Sequence, residues 1–300
     1  MPIRFDGRVA LVTGAGNGLG KAHALLLAAR GAKVVVNDLG GAVSGEGRST
    51  SAADQVVAQI EAAGGEAIAN YDSVADAAGA RAMVDAAVQR FSRLDILINN
   101  AGILRDKTFA KMDIQDFRTV LEVHLMGGVL CSQAAWPVMK EQGYGRIVMT
   151  SSGAGLYGNF GQSNYGAAKM GLVGLMNVIK LEGAKSGILI NSVAPIAATR
   201  MTEALMPKYA LEQLKSEWVA AAVAYLASES CKVTGHVISA GAGYFARTQM
   251  MEGAGVFMDP ESTPDPDEVA AAYEQISDLS QAAPYASAPD YIDKVLGRFA

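Results

Sequence analysis

The sequence has few cysteines and histidines, no run of basic residues and no long apolar run. Its two cysteines, Cys131 and Cys231, lie far apart in a chain of 300 residues that has only three histidines. This is not the spacing of a metal site, so we expect two reduced thiols and no metal. The lysines and arginines are scattered and the formal net charge is -5, so we expect no nucleic-acid partner.

The chain also lacks the usual signals for export and membrane insertion. Its first residues, MPIRFDGRV, do not have the charged-then-apolar pattern of a secretory signal. No stretch of about 18 apolar residues would span a bilayer, and the last residues, GRFA, do not spell a peroxisomal address. We therefore expect a soluble, cytoplasmic protein with no membrane partner.

Short β-branched runs alternate with longer alanine-rich segments of helical period. With 50% hydrophobic and 18% charged residues, the chain can bury a large core. The alternation predicts an α/β fold with a doubly wound parallel sheet of the Rossmann-like type. The predicted strands are RVALVT, KVVVND, EAIANY, DILINN, RIVMTS, ILINSV and HVISAG. The predicted helices are Leu19 to Arg30, Ser51 to Ala63, Ala75 to Phe91, Ile114 to Glu141, Tyr165 to Ser186 and Leu211 to Ala227.

Two segments depart from this rhythm. The connection LGGAVSGEGRSTS after Asp38 is much longer than the roughly 2 to 6 residues usual in such units, so it is a candidate lid. We place a dinucleotide-binding catalytic domain at residues 1–250 and a C-terminal helical extension at residues 251–300. In the extension, Asp265 can cap a helix whose first turn holds Pro266. We expect the extension to pack on the core or on a partner subunit.

Glycines mark the turn from the first strand into the first helix, in TGAGNGLGKAHALLL. Gly14, Gly18 and Gly20, with Leu19 between the last two, would let backbone N–H groups approach a pyrophosphate at the helix N-terminus. A glycine-rich turn alone is weak evidence for a dinucleotide. The spacing does not fit a P-loop, however, which argues against ATP.

A carboxylate strengthens the dinucleotide interpretation. Asp38 closes the second predicted strand eighteen positions after Gly20, where it can hydrogen-bond a ribose diol and would repel a 2'-phosphate. The pattern favours NAD over NADP, unless Asp38 is only a solvated turn residue. Asn100 and Ala101, in NNAG at the end of the fourth strand, could line the cofactor, although the same segment would also suit a plain turn.

The stretch SNYGAAKMGLVGLMNVIKL sets a phenol and an ammonium group four positions apart. Tyr165 and Lys169 therefore share one face of a helix. At about 5 Å and an effective dielectric constant of about 20, the cation would favour the phenolate by roughly 3 kcal/mol, which lowers the phenol pKa by about two. Ser152, at the end of RIVMTSS, could hold a substrate hydroxyl beside the tyrosine.

These three residues fit the oxidation of a secondary alcohol. Tyr165 would remove the hydroxyl proton, and Lys169 would tune this base and hold the cofactor ribose. Tyrosine and lysine at this spacing alone would be ordinary helix residues, so the hypothesis depends on their combination with the glycine turn, Asp38 and Ser152. After Lys169 the helix is apolar almost all round, which indicates burial on both sides. A second subunit is the expected cover, in a homodimer or homotetramer.

The order TG-x-x-x-G-x-G, Asp38, NNAG, Ser152 and Y-x-x-x-K resembles the short-chain dehydrogenase/reductase family over about residues 4 to 245. The segments VVVNDLGG, NNAGILRD, VHLMG, YGRIVMTSS and YGNFGQSNY are more closely similar to the (3R)-hydroxyacyl-CoA dehydrogenase units of peroxisomal type 2 multifunctional enzymes. The resemblance implies an NAD-dependent oxidoreductase of fatty acid metabolism. It also implies adenine contacts at Asp72 and Ser73, and a homodimer built on two long central helices.

Two positions depart from the family pattern. His124 in EVHLMGG stands where many members carry an asparagine that helps to shape a proton relay. A lone histidine in an apolar helix is usually a core residue, so His124 is left out of the catalytic set. In APIAATRMT, Ile196 stands where glycine is usual and Thr199 comes one place early, which puts contacts of that loop with the carboxamide in doubt.

Three functions are compatible with the sequence. The leading hypothesis is an NAD-dependent 3-hydroxyacyl-CoA dehydrogenase. A dehydrogenase of steroids or other bulky alcohols is the alternative, since nothing in the sequence measures the width of the substrate pocket. A non-catalytic dinucleotide-binding protein is the remote alternative, and the complete set of Ser152, Tyr165 and Lys169 argues against it.

Overall fold

The computed structural model describes residues 2–197, 213–263 and 265–297. Within these residues, eight strands form one sheet in the order β3-β2-β1-β4-β5-β6-β7-β8. Neighbouring strands from β3 across to β7 pair in parallel. The strands are β1 (Val9–Thr13), β2 (Lys33–Asn37), β3 (Ala67–Asn70), β4 (Ile96–Asn99), β5 (Gly145–Thr150), β6 (Ile188–Pro195), β7 (Val237–Gly241) and β8 (Tyr244–Thr248). The predicted doubly wound α/β fold is confirmed.

Helices cover both faces of this sheet. The α-helices of this part of the chain are α1 (Gly18–Ala29), α2 (Ser51–Ala62), α3 (Ala77–Phe91), α4 (Ile114–Leu121), α5 (Gly127–Gln142), α6 (Gly153–Tyr157), α7 (Ser163–Gly183) and α8 (Ser216–Ala227). Side chains of α1, α2 and α8 form one apolar cluster with the sheet, and those of α3, α5 and α7 form another on the opposite face. Alternate residues of β1 enter the two clusters, as the pleat of a strand buried on both faces requires.

The strand order reverses at β1, which lies between β2 and β4. The chain builds β2 and β3 on one side of β1 and then crosses to β4 on the other side. In open α/β sheets, ligands bind at such a switch point, in the crevice outside the carboxyl ends of the strands. The carboxyl ends of β1, β2 and β4 therefore define the region in which a ligand is expected.

The predicted helices agree with the structure to within a few residues at the described ends, but several features were not predicted, among them α6 and the helix Ala288–Leu296. The segment predicted as one helix from Ile114 to Glu141 contains a π-helical turn, Glu122–Met126, between α4 and α5. Strand β8 was also not predicted; it follows β7 through a tight turn at Ala242 and Gly243, both with positive φ. The predicted start of α8 at Leu211 lies outside the described residues.

Residues 1–247 and residues 248–300 form two compact units. The smaller unit contains α9 (Pro266–Ala271), α10 (Tyr273–Ile276) and α11 (Ala288–Leu296). Asp265 caps α9, because its Oδ1 accepts a hydrogen bond from the Asp267 N–H at 3.0 Å. The domain boundary predicted at residue 250 and the packing of the extension stay predictions. None of the helices in the described part of the chain is both long and apolar enough to cross a membrane.

Candidate active site

The turn between β1 and α1 forms a cradle lined by backbone. Gly14 has a φ of +63° and Gly18 a φ of +52°, in the left-handed region that favours glycine. A Cβ at Gly20 would lie 2.2 Å from the Gly14 carbonyl oxygen, and one at Gly16 would lie 2.7 Å from the Asp38 Oδ2. Side chains are thus excluded where the helix N-terminus favours a phosphate, so the cradle fits the pyrophosphate of a dinucleotide.

The NNAG segment at the end of β4 braces this turn. Asn100 Nδ2 donates to the carbonyl oxygens of Thr13 and Gly14, at 2.9 and 3.1 Å. The N–H groups of Asn100 and Ala101 donate to Thr13 Oγ1, at 3.0 and 3.1 Å. The Asn100 side chain therefore holds the glycine turn in place. Thr13 is a site residue that was not among the predicted site residues, although it is the threonine of the motif TG-x-x-x-G-x-G.

Asp38 follows β2 and lies beside the glycine turn. Its Oδ2 accepts a hydrogen bond from the Gly16 N–H and its Oδ1 accepts one from the Gly40 N–H, both at 2.7 Å. Charge-assisted bonds of this length fix the orientation of the carboxylate. Asp38 is therefore ordered beside the glycine turn, and its contact with a ribose stays a prediction.

Asp72 and Ser73 follow β3, the strand next to β2 in the sheet. Asp72 Oδ2 accepts a hydrogen bond from Asn70 Nδ2 at 2.7 Å, and the Asp72 carbonyl accepts one from Asn37 Nδ2 at 2.9 Å. Both Asp72 and Ser73 are half-buried at the carboxyl edge of the sheet. Leu19, also half-buried, packs on the apolar cluster behind the glycine turn. The predicted cofactor contacts of these residues stay predictions.

Ser152, Tyr165 and Lys169 come together beside the end of β5. Ser152 caps α6, with its Oγ accepting the Ala154 N–H at 3.1 Å, and its side chain acts on the Tyr165 phenol in the direction that lowers the phenol pKa. Lys169 Nζ lies 5.5 Å from the centre of the Tyr165 ring. Lys169 is almost fully buried, and its Nζ donates to the Thr150 carbonyl at 2.6 Å.

Burial shifts the pKa of this phenol in the direction opposite to the sequence expectation. Removal from water raises the pKa of Tyr165 above its usual value of 10.0, although the Ser152 side chain acts to lower it. Burial also lowers the pKa of Lys169 from its usual 10.5 to about 7, so the ammonium charge is only partly present at neutral pH. The expected lowering of the phenol pKa is therefore wrong for this structure, because desolvation disfavours both charged forms.

His124 lies against this pair, although sequence reasoning left it out of the catalytic set. Its ring makes an edge-to-face contact with Tyr165 at 5.1 Å between centroids. Its Nε2 lies 3.0 Å from the Ile103 nitrogen and 2.8 Å from the Ile103 oxygen. Its Nδ1 is buried and has no hydrogen-bond partner among the described residues. Burial and the nearby charge of Lys169 hold the pKa of His124 well below its usual range, so the ring is neutral.

A cavity about the size of one water molecule is bordered by His124, Lys169 and Thr13. His124 lies in the π-helical turn, and this turn explains the position of its side chain. The extra residue in the turn changes the helical period at His124. A sequence signal for such a turn was not available, since EVHLMGG reads as uninterrupted helix. The segment APIAATRMT runs from β6 into residues 198–212, so Thr199 lies outside the described residues.

A family model described as short chain dehydrogenase matches residues 8–210. The chain belongs to the short-chain dehydrogenase family. The resemblance stated from the motifs is thereby confirmed. The matched range contains the glycine turn, Ser152, Tyr165 and Lys169.

Relatives of this short-chain dehydrogenase include larger proteins. It is 52% identical over 283 residues to the peroxisomal multifunctional enzyme type 2 of Drosophila melanogaster, a match covering 93% of this chain and 47% of that protein. The solved full-length Drosophila structure superposes with a TM-score of 0.84 at 41% identity, covering 99% of this chain and 50% of that chain. The chain thus spans about half the length of this relative.

A solved bile-acid enzyme is a more distant neighbour. The 7α-hydroxysteroid dehydrogenase complexed with NADH and 7-oxo glycochenodeoxycholic acid is 28% identical, with a TM-score of 0.72 over 80% of this chain and 95% of that chain. Together with family membership, this likeness supports a nicotinamide dinucleotide as the cofactor of this chain.

Proposed function

We propose that this short-chain dehydrogenase is an NAD-dependent oxidoreductase that transfers a hydride between NAD and a (3R)-3-hydroxyacyl-CoA. The observation that carries the proposal is the convergence of Ser152, Tyr165 and Lys169: the Ser152 side chain acts on the phenol to lower its pKa, and Lys169 Nζ lies 5.5 Å from the ring centre. The acyl-CoA part is supported by the segments that resemble hydroxyacyl-CoA dehydrogenase units, and by 52% identity to a multifunctional enzyme type 2.

The chain's own groups account for binding and proton transfer. Ser152 and Tyr165 hydrogen-bond the substrate oxygen, and Tyr165 takes its proton during oxidation and returns it during reduction. Lys169 holds the ribose through its N–H groups. When the lysine is protonated, its positive charge stabilises the phenolate. When bound, the dinucleotide supplies the hydride acceptor. Because burial raises the pKa of Tyr165, oxidation should accelerate as pH rises, whereas reduction can start from the protonated phenol.

The test uses purified protein with each enantiomer of 3-hydroxybutyryl-CoA and NAD, followed by NADH absorbance. We expect turnover of the (3R) enantiomer and a loss of about 10²- to 10⁴-fold in kcat for Tyr165→Phe, which removes the acid–base group. Tyr225→Phe is the matched control, because Tyr225 is exposed on α8 and should leave kcat unchanged. Equal rates for Tyr165→Phe and wild type would contradict the proposed role of the phenol.

NAD rather than NADP is proposed because of Asp38. Its carboxylate is fixed by the Gly16 and Gly40 N–H groups and would repel a 2'-phosphate. Asp38→Ala should weaken NADH binding by about tenfold or more and reduce the preference for NADH over NADPH, as measured by fluorescence titration with both dinucleotides. Asp85→Ala on the exposed face of α3 serves as control. Unchanged selectivity in Asp38→Ala would refute the ribose contact.

A steroid or another bulky alcohol is the second candidate substrate. The likeness to a 7α-hydroxysteroid dehydrogenase at 28% identity favours it. A panel of hydroxysteroids and (3R)-3-hydroxyacyl-CoA thioesters of several chain lengths separates the two candidates by kcat/KM. A higher kcat/KM for a steroid than for every thioester would reverse our choice.

We also propose that the protein is located in the cytoplasm, whereas the Drosophila relative is named as a peroxisomal enzyme. A fluorescent fusion of the full chain tests it by microscopy. Diffuse signal supports the cytoplasm, and punctate signal that overlaps a peroxisomal marker would contradict it.

A further inference from the structure

The loop between β2 and α2 is folded into a compact strap, by which we mean residues 39–50. Its two ends are joined, because the Ser49 N–H donates to the Leu39 carbonyl at 3.1 Å. Its tip is closed by the Ala42 N–H, which donates to the Glu46 carbonyl at 2.7 Å. Loops whose ends lie close together and whose residues hydrogen-bond one another form compact structures on the protein surface.

The strap passes across the carboxyl end of β1. It leaves the end of β2, and its Val43 carbonyl accepts a hydrogen bond from the Leu104 N–H at 3.0 Å, just past the end of β4. Because β1 lies between β2 and β4, the strap crosses the strand from which Gly14 opens the cradle. Gly45, with a φ of +89°, packs so closely on Ile103 that a Cβ there would lie 3.1 Å from the Ile103 Cγ2.

One side chain fastens the tip of the strap. Arg105 Nε donates to the Ser44 carbonyl at 3.0 Å, and Arg105 Nη1 donates to Asp116 Oδ1 at 2.8 Å. Each side chain of this ion pair is 24% exposed, so water only partly screens it. The planar guanidinium thus joins the strap to α4 in a fixed geometry that a flexible ammonium would not reproduce.

The backbone of the same arginine leads to the catalytic helix. The Arg105 carbonyl accepts a hydrogen bond from Asn164 Nδ2 at 3.0 Å, and Asn164 Oδ1 accepts one from the Tyr165 N–H at 2.7 Å. Asn164 is fully buried, which makes these bonds costly to break. The strap over the nucleotide end and the tyrosine are therefore linked through two residues.

We propose, relying on the dinucleotide site of the proposed function, that Arg105 is a positioning residue that holds the strap closed over the bound dinucleotide and links this closure to the placement of Tyr165. The guanidinium itself is engaged by Ser44 and Asp116, so Arg105 acts through the strap and not as a catalytic residue. Release of the dinucleotide then requires the strap to lift from Arg105.

The test measures the rate at which NADH leaves the full-length protein, by stopped-flow fluorescence with excess NAD as competitor. Arg105→Gln should raise the dissociation rate about tenfold, because a charge-assisted hydrogen bond to the strap is lost. Asp116→Asn keeps Arg105 but removes its ion-pair partner, and should raise the rate by a smaller factor. Arg105→Lys should restore only part of the retention. Arg118→Gln, an exposed arginine on the same helix α4, is the matched control.

Steady-state kinetics separate positioning from general structural damage. We expect KM for NAD to rise in Arg105→Gln, with a thermal midpoint close to that of the wild type. If Arg105→Gln does not fold, Asp116→Asn decides the question with the same measurement. A dissociation rate within twofold of wild type in every folded variant, or an equal increase in Arg118→Gln, would overturn the proposal. Wild-type protein that does not bind NADH would instead refute the proposed function.

Discussion

Lys169 combines almost complete burial with a hydrogen bond from its Nζ to the Thr150 carbonyl. Burial lowers its pKa from 10.5 to about 7, so the folded protein releases a proton that the unfolded chain still holds. Between about pH 7 and pH 10.5 the unfolded state binds more protons than the folded state. The free energy of unfolding therefore rises with pH in this range. Below about pH 7 both states are protonated, and the full cost of burying the charge remains.

Replacement of this lysine by methionine removes the titration and keeps the side-chain length. Relative to Lys169→Met, the wild type should gain up to about 3 kcal/mol in unfolding free energy between about pH 7 and pH 9.5, at about 1.4 kcal/mol per pKa unit. Urea unfolding at both pH values measures this, with Lys140→Met on the exposed face of α5 as control. A wild-type-to-variant difference that does not change with pH would show that Lys169 is not buried as described.

Single residues also mark the limit of what the sequence predicts. The combination of motifs predicted that Ser152, Tyr165 and Lys169 come together, and their catalytic roles stay predictions. Thr13 and Asn164 were not predicted, because each acts on a segment distant in sequence, at Asn100 and Arg105 respectively. The shift in the pKa of Tyr165 was predicted in the wrong direction, because the spacing indicates the attraction of a cation but not the desolvation of both groups.

The glycine turn is the element that we propose as the pyrophosphate site. Its helix start lies so close to the preceding strand end that Gly20 has no room for a Cβ, which would meet the Gly14 carbonyl and Asn100 Nδ2. Its position was predicted from the sequence, because glycine has few other uses at a strand-to-helix turn. The π-helical turn between α4 and α5 was not predicted, because its residues have ordinary helical propensities.

Gly20→Ala should displace the turn and destabilise the fold by about 1 to 3 kcal/mol, as overpacking does. NADH affinity should fall with it, since the N–H groups of the cradle move. Thermal unfolding and NADH titration measure the two effects. Gly297→Ala is the matched control, because a Cβ there meets nothing within 4 Å, and its effect should stay within about 0.5 kcal/mol. Normal NADH binding by Gly20→Ala would exclude the cradle as the pyrophosphate site.

At the scale of the whole molecule, the doubly wound parallel sheet was predicted from the alternation of strands and helices, but the order of its strands was not. The assembly does not follow from one chain. Helix α7 was predicted to be buried on both sides. In the single chain one side packs on the sheet, but Val178 and Leu181 are 56% and 54% exposed. Together with Gly174 they form an exposed stripe at helical spacing. We propose that a second copy of the chain covers this stripe in a homodimer or homotetramer.

The mass in solution tests this assembly. Sedimentation equilibrium should give at least twice the chain mass of 31.2 kDa, and Val178→Asp should shift the protein toward the monomer, because it places a charge in an apolar contact. Glu182→Gln, an exposed position of the same helix turn, should leave the mass unchanged. A wild-type protein with the mass of one chain would rule out this interface.

The central claim, that Tyr165 and its neighbours direct hydride transfer from a secondary alcohol to a nicotinamide dinucleotide, is tested most directly by isotope transfer. The protein is incubated with (3R)-3-hydroxybutyryl-CoA carrying deuterium on C3 and with unlabelled NAD, and the reduced dinucleotide is analysed by mass spectrometry. Our account predicts that each NADH formed carries one deuterium, and that Tyr165→Phe forms almost none. Unlabelled NADH, or no reduced dinucleotide from the wild type with this thioester or with any hydroxysteroid, would contradict it.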